Sequence, residues 1–451
     1  MSTLSDAIDL YHTLLDGESA AESQAQLDEQ QQRRGLHFGT RKICTVLRPR
    51  FLTSAQYRFL QDAIQSIMPA FDKAYRAALA GGPIREQFKL ADWEERLIDA
   101  DPGFAAPSPS SRMDSFFVTS ENRLAFTEYN AEIPAAPAYN DALADIFYGM
   151  RIMREFEKQY EVINLPTRHH MLHALLDSYH QWGGRGRPNI AILDWREVPT
   201  YSEFVLFNDY FAGQGLECRI VDPREVTYRD GKLCAGDYRI DLIYKRVLIT
   251  ELVERCGIDG PVVRAVQERA VCMVNPFRCK ILHRKTSLAV LSDDQNAHMF
   301  SANELKAIDA FIPWTRLLSE RHTTFQRRPV DLVPFVQAHQ QEMVLKPSDE
   351  YGGKGIVLGW TVSAAEWEHA IRDYLLSPTV VQQRVTLPSE PYPDYVDGRI
   401  HVYDRMLDTD PYIWYGAYAS GCLTRISTAA LLNVTAGGGS TVPTFLIERR
   451  A

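Results

Sequence analysis

The residues best suited to chemistry surround a glycine-rich stretch, residues 344–359, which reads Val-Leu-Lys-Pro-Ser-Asp-Glu-Tyr-Gly-Gly-Lys-Gly-Ile-Val-Leu-Gly. Its glycines let the backbone approach a ligand closely. Such a loop can close over phosphates with its N–H groups while a lysine, such as Lys346, meets their charge. A carboxylate of the same loop could hold Mg²⁺, which prefers oxygen ligands and nucleotide phosphates. A hairpin with a charged, solvated turn is the alternative interpretation.

A second candidate lies upstream, where a predicted strand ends in Leu-Ala-Phe-Thr-Glu-Tyr-Asn, residues 124–130. Glu128 and Asn130 are two residues apart and therefore share one face of that strand. Both side chains offer oxygen ligands, so together they fit a hard-metal site. A charged strand end without ligands is the competing interpretation.

Two cations occupy positions where an anion could bind. Residues 166–275 alternate apolar strands with helices, which predicts a parallel sheet. Arg246 falls at the carboxyl end of one of these strands, the edge at which such sheets usually bind ligands. Lys285 precedes a predicted helix in a segment that reads as a loop leading into that helix, a position suited to an anion.

The remaining elements position these residues. An amphipathic helix opens the chain, and a polar run at 21–34 is either helical or mobile. Thr53-Ser-Ala-Gln56 is a capping box that predicts a long helix ending at Gly81-Gly82. Residues 344–385 predict the order strand, glycine loop, strand, helix, strand. The C-terminal part predicts strands, a polar turn with Arg425 and Asn433, and a second glycine loop.

Length and composition limit the function classes. A chain of 451 residues suggests two to four domains. The net charge of −9 argues against a general nucleic-acid-binding surface. We find no signal peptide and no apolar run long enough to cross a bilayer. The seven cysteines include no Cys-x-x-Cys, which favours reduced thiols in a cytoplasmic protein.

Taken in order, these motifs resemble the ATP-grasp family. The pattern Lys-Pro-x-x-x-x-Gly-Gly-x-Gly, followed by a capped helix and a Val-Val-Gln-Gln strand, is similar to the ATP-grasp lid. Because Glu-x-Asn lies far upstream of it, the chain resembles the circularly permuted branch, which includes eukaryotic-type glutathione synthetase and glutathionylspermidine synthase. The resemblance implies a mixed α+β and α/β protein with a circularly permuted ATP-grasp fold, a Rossmann-like substrate domain and an N-terminal helical segment.

The resemblance also divides the chain. It implies a helical scaffold at 1–110, a permuted part of the core at 111–165 and an α/β substrate domain at 166–275. The ATP-grasp lid then covers 276–390, and residues 391–451 return to the core.

Residue by residue, the resemblance implies three groups. The metal ligands would be Glu128, Asn130 and Glu350. The nucleotide-binding residues would be Lys285, Lys346, Gly352, Gly353, Gln382, Gln383 and Val385. The arginines acting on substrate would be Arg112, which with Asp114 resembles the family's Arg-x-Asp, together with Arg246 and Arg425. The chain departs from the family at Tyr351, where glutathione synthetases have glycine, and it lacks an evident glutathionylspermidine signature and an added amidase domain.

The implied activity is that of an ATP-dependent carboxylate–amine ligase that uses Mg²⁺ and an acyl-phosphate intermediate to form an amide or peptide bond. The expected partners are a small-molecule or peptide carboxylate and an amine, without nucleic acid or membrane, and a homodimer remains possible. Two alternatives stay open, a phosphotransferase without ligation and a nucleotide-binding regulatory protein. Fold analogy alone does not choose among them.

Overall fold

The structure is a computed structural model that describes residues 3–350, 352–428 and 439–450. The first third of the chain is mostly helical. Its helices are α1 (Thr3–Leu14), α2 (Gly17–Arg34), α3 (Ser54–Ala80), α4 (Pro83–Gln87), α5 (Asp92–Ile98), α6 (Pro137–Tyr148) and α7 (Arg151–Phe156). Its strands are β1 (His37–Phe38), β2 (Arg41–Lys42), β3 (Arg50–Thr53), β4 (Ser110–Val118), β5 (Arg123–Asn130) and β6 (Tyr160–Asn164). The polar run at 21–34 is therefore helical.

The middle of the chain alternates helices with strands. Its helices are α8 (Arg168–Trp182), α9 (Tyr201–Gly213), α10 (Ile249–Cys256) and α11 (Pro261–Gln267). Its strands are β7 (Ile190–Leu193), β8 (Cys218–Val221), β9 (Val226–Arg229), β10 (Lys232–Ala235), β11 (Tyr238–Arg239), β12 (Leu242–Lys245) and β13 (Cys272–Val274).

The last part is rich in strands. Its helices are α12 (Cys279–His283), α13 (Thr286–Ser292), α14 (Ala302–Phe311), α15 (Leu332–Ala338) and α16 (Ala364–Tyr374). Its strands are β14 (Thr315–Leu317), β15 (His322–Phe325), β16 (Arg328–Asp331), β17 (Met343–Pro347), β18 (Val357–Leu358), β19 (Thr379–Gln383), β20 (Ser389–Val396), β21 (Arg399–Leu407), β22 (Asp410–Trp414), β23 (Tyr418–Ser427) and β24 (Gly439–Arg449).

The largest sheet joins the two ends of the chain. Its strands follow the order β20-β21-β23-β22-β4-β5, and β24 pairs with β23, β3 and β6. The register sets Tyr412 of β22 opposite Arg112 of β4, and Phe445 of β24 opposite Phe51 of β3. The N-terminal segment thus contributes a strand to the same sheet as the C-terminal segment.

The capped helix predicted after Thr53 is confirmed. The N–H of Gln56 donates to Thr53 Oγ1 at 3.2 Å, and the N–H of Thr53 donates to Gln56 Oε1 at 2.9 Å. Helix α3 ends at Gly81, whose φ of 85° suits a residue without Cβ. Its apolar face, with Ile64 and Phe71, is buried in one core with the β4–β5 hairpin.

The parallel sheet predicted for residues 166–275 is also confirmed. Its order is β13-β12-β7-β8, and each neighbouring pair runs parallel. Because all four strands point the same way, the residues that follow β7 and β12 lie at one edge of the sheet. Asp194 follows β7 and Arg246 follows β12.

The order predicted for residues 344–385 is confirmed as well. Strands β14, β19, β17 and β18 form an antiparallel sheet in that order, with α16 packed against it. One prediction nearby was wrong. The segment before Lys285 is helix α12 rather than a loop, because Ile281 and Leu282 are buried in the core beneath α3.

Asn433 and most of the second predicted glycine loop lie outside the described residues, as does Tyr351. Among the described helices, none is both long and apolar enough to cross a membrane.

Candidate functional site

A cavity of about 510 Å³ lies where the β4–β5 hairpin, the glycine loop and the carboxyl edge of the parallel sheet meet. It contains most of the residues singled out by sequence. Those that line it are Arg112, Glu128, Asn130, Arg246, Lys346, Gly352, Gly353, Gln382, Gln383, Val385 and Arg425. Lys285 and Glu350 are absent from the lining.

The hairpin presents Glu128 and Asn130 through its register. Arg112 pairs with Asn130 and Asp114 pairs with Glu128, after which a bulge leaves Thr127 without a directly opposed residue. A β-bulge bends the strand locally and changes the direction in which its side chains point. The carbonyl of Thr127 accepts a hydrogen bond from Lys346 Nζ at 3.2 Å, so the bulge joins the hairpin to β17.

Asp114 is the centre of a buried charge cluster. Its Oδ1 accepts from Arg112 Nε at 2.9 Å and from Asn130 Nδ2 at 2.7 Å, and its Oδ2 accepts from Arg425 Nη2 at 2.6 Å. Burial opposes ionisation, but the two arginines hold the pKa of Asp114 down at about 2. The cluster therefore contains a permanent carboxylate at neutral pH.

Arg425 is further bound by two carboxylates of β22 and the turn before it. Its Nε lies 2.6 Å from Asp408 Oδ2, and its Nη2 lies 2.9 Å from Asp410 Oδ2. Burial and the neighbouring carboxylates Asp114 and Asp408 raise the pKa of Asp410 well above its usual value. The arginine is thus paired within the protein.

Lys285 connects three distant parts of the chain, although it lies outside the cavity lining. Its Nζ lies 3.1 Å from Glu128 Oε1 and donates to the backbone carbonyl of Glu350 at 2.6 Å. Positions 128 and 350 therefore converge on one ammonium. The carboxylate of Glu350 instead contacts Lys354 Nζ at 3.2 Å, at a partly exposed position.

Lys346 is the lining cation with the fewest anionic contacts. Its Nζ donates to Gln382 Oε1 at 2.7 Å as well as to Thr127, and both partners are neutral. No carboxylate of the described residues lies within ion-pair distance of it. Burial lowers the pKa of Lys346 to about 8, and the nearby charge of Lys285 also lowers it.

Arg246 lines the cavity, but its guanidinium is directed into the protein. Nη2 lies 3.0 Å from Glu203 Oε2, and Nη1 donates to the hydroxyl of Tyr244 at 3.1 Å. Sequence reasoning missed Glu203, because its place on α9 gives no sign that it faces β12.

Sequence reasoning also passed over Asp194, which lines the cavity beside Arg246. The available signal was its position directly after the buried strand β7, at the ligand-binding edge of the sheet.

Behind the cavity, a buried network ties the glycine loop to the parallel sheet. Glu132 lies 3.3 Å from Lys245 Nζ and 3.3 Å from Lys280 Nζ. Lys280 in turn lies 2.6 Å from Asp349 Oδ1, and Thr250 Oγ1 donates to Asp349 Oδ2 at 3.1 Å. The loop is therefore anchored at the residue before Glu350.

Two side chains of the cavity offer oxygen ligands of the kind that Mg²⁺ prefers. Within the described ranges, no group of three or more His, Cys, Asp or Glu side chains is arranged to hold a metal ion. Glu128 and Asn130 line the cavity, and Asn130 donates through Nδ2, which leaves Oδ1 as an acceptor. Mg²⁺ usually takes one or two carboxylates and completes its shell with phosphates and water, so two protein oxygens fit it.

Comparisons with known proteins yielded two distant relatives, and no family model matches. An uncharacterised Synechocystis protein is 24% identical over 269 residues, which cover 54% of this chain and 51% of that protein. A Frankia casuarinae protein, provisionally named glutamate–cysteine ligase 2-2, is 24% identical over 341 residues, 69% of this chain and 36% of its own length. The matches thus span about half of one relative and about a third of the other.

Among solved structures, a glutathione synthetase-like effector from Globodera pallida, determined in its apo form, superimposes with a TM-score of 0.58. The alignment covers 96% of this chain and 98% of the effector at 11% sequence identity. Agreement over nearly the whole of both chains establishes the fold. This chain is a mixed α/β protein with a glutathione synthetase-like fold.

Proposed function

We propose that the protein is an ATP-dependent carboxylate–amine ligase of the circularly permuted ATP-grasp type. The observation that carries the proposal is the joint lining of one cavity by Glu128, Asn130, Lys346 and the Gly352-Gly353 pair. Oxygen ligands, a lysine without a carboxylate partner and a glycine loop are the parts that a nucleotide triphosphate site needs.

The fold of the Globodera effector and the name of the Frankia relative support this proposal. The first supports a scaffold of the glutathione synthetase kind, and the second supports amide-bond formation. Both likenesses are distant in sequence, so the proposal depends mainly on the residues of the cavity.

In the proposed reaction, a substrate carboxylate oxygen attacks the γ-phosphorus of ATP, and ADP leaves as the bond to its bridging oxygen breaks. The amine nitrogen then attacks the acyl carbon of the resulting acyl phosphate. The C–N bond forms while the C–O bond to phosphate breaks, phosphate departs with the bonding electron pair, and the nitrogen releases a proton. The protein contributes chiefly positioning and charge neutralisation.

Lys346 would bind the phosphates. Its ammonium is half-buried beside neutral acceptors, so an incoming polyanion would supply the charge partner that the described residues do not provide. Because burial has lowered its pKa to about 8, phosphate binding would favour the protonated form. Lys285, already between Glu128 and the carbonyl of Glu350, would hold the metal-binding side of the site in place.

Glu128 and Asn130 would hold Mg²⁺, and Glu350 could join them only by leaving Lys354. Bound there, the ion would supply Lewis-acid neutralisation of the phosphate charge. Arg112 would orient the substrate carboxylate through Nη1, whose one acceptor within the described ranges is the Ala135 carbonyl at 3.2 Å. Gln382, Gln383 and Val385 would border the adenine, and Gly352 and Gly353 would close over the phosphates and exclude water.

The test is ATP consumption by the purified protein with Mg²⁺ and a panel of carboxylates and amines. ADP would be followed by a coupled assay and the product by mass spectrometry. We expect amide formation that falls at least 100-fold in Lys346→Met, since the phosphates lose their cation. Lys158→Met removes an exposed lysine remote from the cavity and is the matched control.

Three other outcomes would contradict the proposal. A stable phosphorylated carboxylate without amide would indicate a phosphotransferase. Nucleotide binding without consumption across the panel would indicate a regulatory protein. Unchanged turnover in Lys346→Met would show that the cavity takes no part in the reaction.

A further inference from the structure

Asp194 lies in the cavity at the carboxyl edge of the parallel sheet. It directly follows β7, lines the cavity and is only 7% exposed. Its Oδ1 accepts the backbone N–H of Trp195 at 2.8 Å. No donor from the described part of the chain forms a hydrogen bond with its Oδ2.

Among the described residues, Asp194 differs from every other buried carboxylate. Each of the others has an arginine or lysine within ion-pair distance, as Glu132 has Lys245 and Lys280. Asp194 has none, although Arg246 follows the neighbouring strand, because Glu203 already holds that guanidinium.

A buried carboxylate without a cation is costly, since burial removes its hydration and nothing replaces it. Accordingly, burial raises the pKa of Asp194 to about 6, although the Trp195 N–H and the charge of Arg246 lower it. The group is still mostly ionised at neutral pH. A ligand that brings a positive charge would remove this cost, and residues poised in this way often mark functional sites.

The loop that follows Asp194, together with two segments near it in the fold, contributes apolar side chains to the cavity lining. The loop after β7 supplies Val198 and Pro199, the first hairpin supplies Phe38, and α6 supplies Tyr139. Hydrogen bonds fix these parts together. The N–H of Gly39 donates to the Pro199 carbonyl at 3.2 Å, and the Tyr139 hydroxyl donates to the His37 carbonyl at 3.2 Å. The surface can therefore receive a hydrocarbon body.

The same end of the cavity offers no cation for a second carboxylate. Among the described lining residues, Arg112 is already assigned to the carboxylate substrate, Arg425 is held by the Asp114 cluster, and Arg246 is held by Glu203. Lys346 has no carboxylate partner in the described part of the chain, but it lies on β17 directly before the glycine loop, where the nucleotide is proposed to bind. An α-amino acid would thus bring a carboxylate without a counter-ion.

Building on the proposed function, we propose that this end of the cavity binds the amine co-substrate as an ammonium ion with an apolar body and no α-carboxylate. Asp194 is the counter-ion of the bound ammonium and takes one of its protons before the free amine attacks the acyl phosphate, and the wall of Phe38, Tyr139 and Val198 receives the hydrocarbon. The residue thereby determines specificity for simple amines over amino acids.

Calorimetric titration with n-pentylammonium tests the inference, with and without a non-hydrolysable ATP analogue and Mg²⁺. Pentan-1-ol has no charge in place of the ammonium, and pentanoate has a negative charge. Norleucine keeps the ammonium and adds an α-carboxylate to the carbon that carries it. We expect n-pentylammonium to bind at least ten-fold more tightly than each of the three. Asp194→Asn should weaken its binding at least ten-fold, whereas Asp237→Asn, an exposed carboxylate of the same unit, should not.

Equal binding of pentan-1-ol, preference for norleucine, or binding unchanged in Asp194→Asn would each overturn the inference. So would absence of binding under both conditions. Circular dichroism and a thermal melt of Asp194→Asn establish that it folds. These outcomes are separate from the proposed function, because amine binding requires no ATP turnover and ATP turnover with amino acids would persist if only the amine assignment were wrong.

Discussion

At the scale of single residues, the cavity is lined by two charged side chains without an ionic partner among the described residues, the buried Asp194 and the half-buried Lys346. The buried arginines that line it, Arg112 and Arg246, are already paired. Burying unpaired charge lowers stability, and residues that a protein retains at such a cost are commonly those that meet a ligand. Both residues line the same cavity and carry opposite charges, which suits two ligands of opposite charge.

The cost at Asp194 should appear in the pH dependence of unfolding. Its pKa is about 6 in the folded protein against 3.8 for the ordinary group, so between these values the folded state holds more protons. Wild-type stability should therefore fall through this group as pH rises from about 4 to about 6. Asp194→Asn lacks the titration, so its unfolding free energy relative to wild type should rise across that window, by up to about 3 kcal/mol.

Urea unfolding of both proteins at pH 4, 5, 6 and 7 measures this difference. Asp237→Asn, which replaces an exposed carboxylate of the same α/β unit, is measured alongside as the control variant. A difference for Asp194→Asn that did not change with pH would contradict the raised pKa of Asp194.

At the scale of elements, the glycine loop is tethered on one side and open on the other. Asp349 is held by Lys280 and Thr250, whereas Glu350 and Lys354 pair near the surface. A loop that must close over a ligand needs such a fixed base and a mobile tip.

Removing the tether should loosen the loop. In Asp349→Ala, Lys280 keeps Glu132 but loses its contact with the loop. We expect faster hydrogen exchange in residues 349–356 and a several-fold higher KM for ATP, because the loop must be ordered on binding. Lys354→Ala breaks only a largely exposed pair and should change stability by less than about 1 kcal/mol. Identical exchange in the two variants would contradict the tether.

Helix α3 depends on its capping box. Thr53→Ala removes the acceptor for the Gln56 N–H and should lower the unfolding free energy by about 1 kcal/mol. Thr53→Ser keeps a hydroxyl at the same position and should lose less than half as much. Chemical denaturation of both variants measures the effect, and equal losses would mean that the methyl group of Thr53, not the cap, stabilises the helix.

At the scale of the whole molecule, sequence patterns predicted local structure better than they predicted partnerships. Spacing alone placed Glu128 and Asn130 on one strand face and Lys285 at the start of a helix, and the structure agrees. The pairing of Arg425 with Asp114 could not be predicted from the sequence, because 311 positions separate the two residues and the large sheet brings them together. The sequence also could not show that Asp194 lacks a cationic partner among the described residues, because this depends on the pairing of Glu203 with Arg246.

The Glu132 network is the point at which the separate units depend on one another. Glu132 follows the β4–β5 hairpin, Lys245 ends β12 of the parallel sheet, and Lys280 lies on α12, the helix that follows that sheet in the chain. Burial opposes its charge, but Lys280 and Lys245 outweigh burial and keep the pKa of Glu132 below its usual value. The carboxylate is therefore charged at neutral pH and balances two buried ammonium groups.

Glu132→Gln should thus destabilise the protein far more than the loss of one surface contact. Among the described residues, the substitution leaves Lys245 without a carboxylate partner and leaves Lys280 with Asp349 and Glu94 alone. The free energy of unfolding should fall by roughly 3–5 kcal/mol. Because three units share Glu132, we expect a single cooperative unfolding transition with its midpoint at a lower denaturant concentration. Every probe should report the same shift, including Trp195 and Trp367, which lie in two different units. Glu197→Gln, which removes only exposed pairs with Arg224 and Arg255, is the control and should shift the transition only slightly. If Glu132→Gln shifted the transition no further than this control, or split it into independent steps, the network would not be what holds the units together.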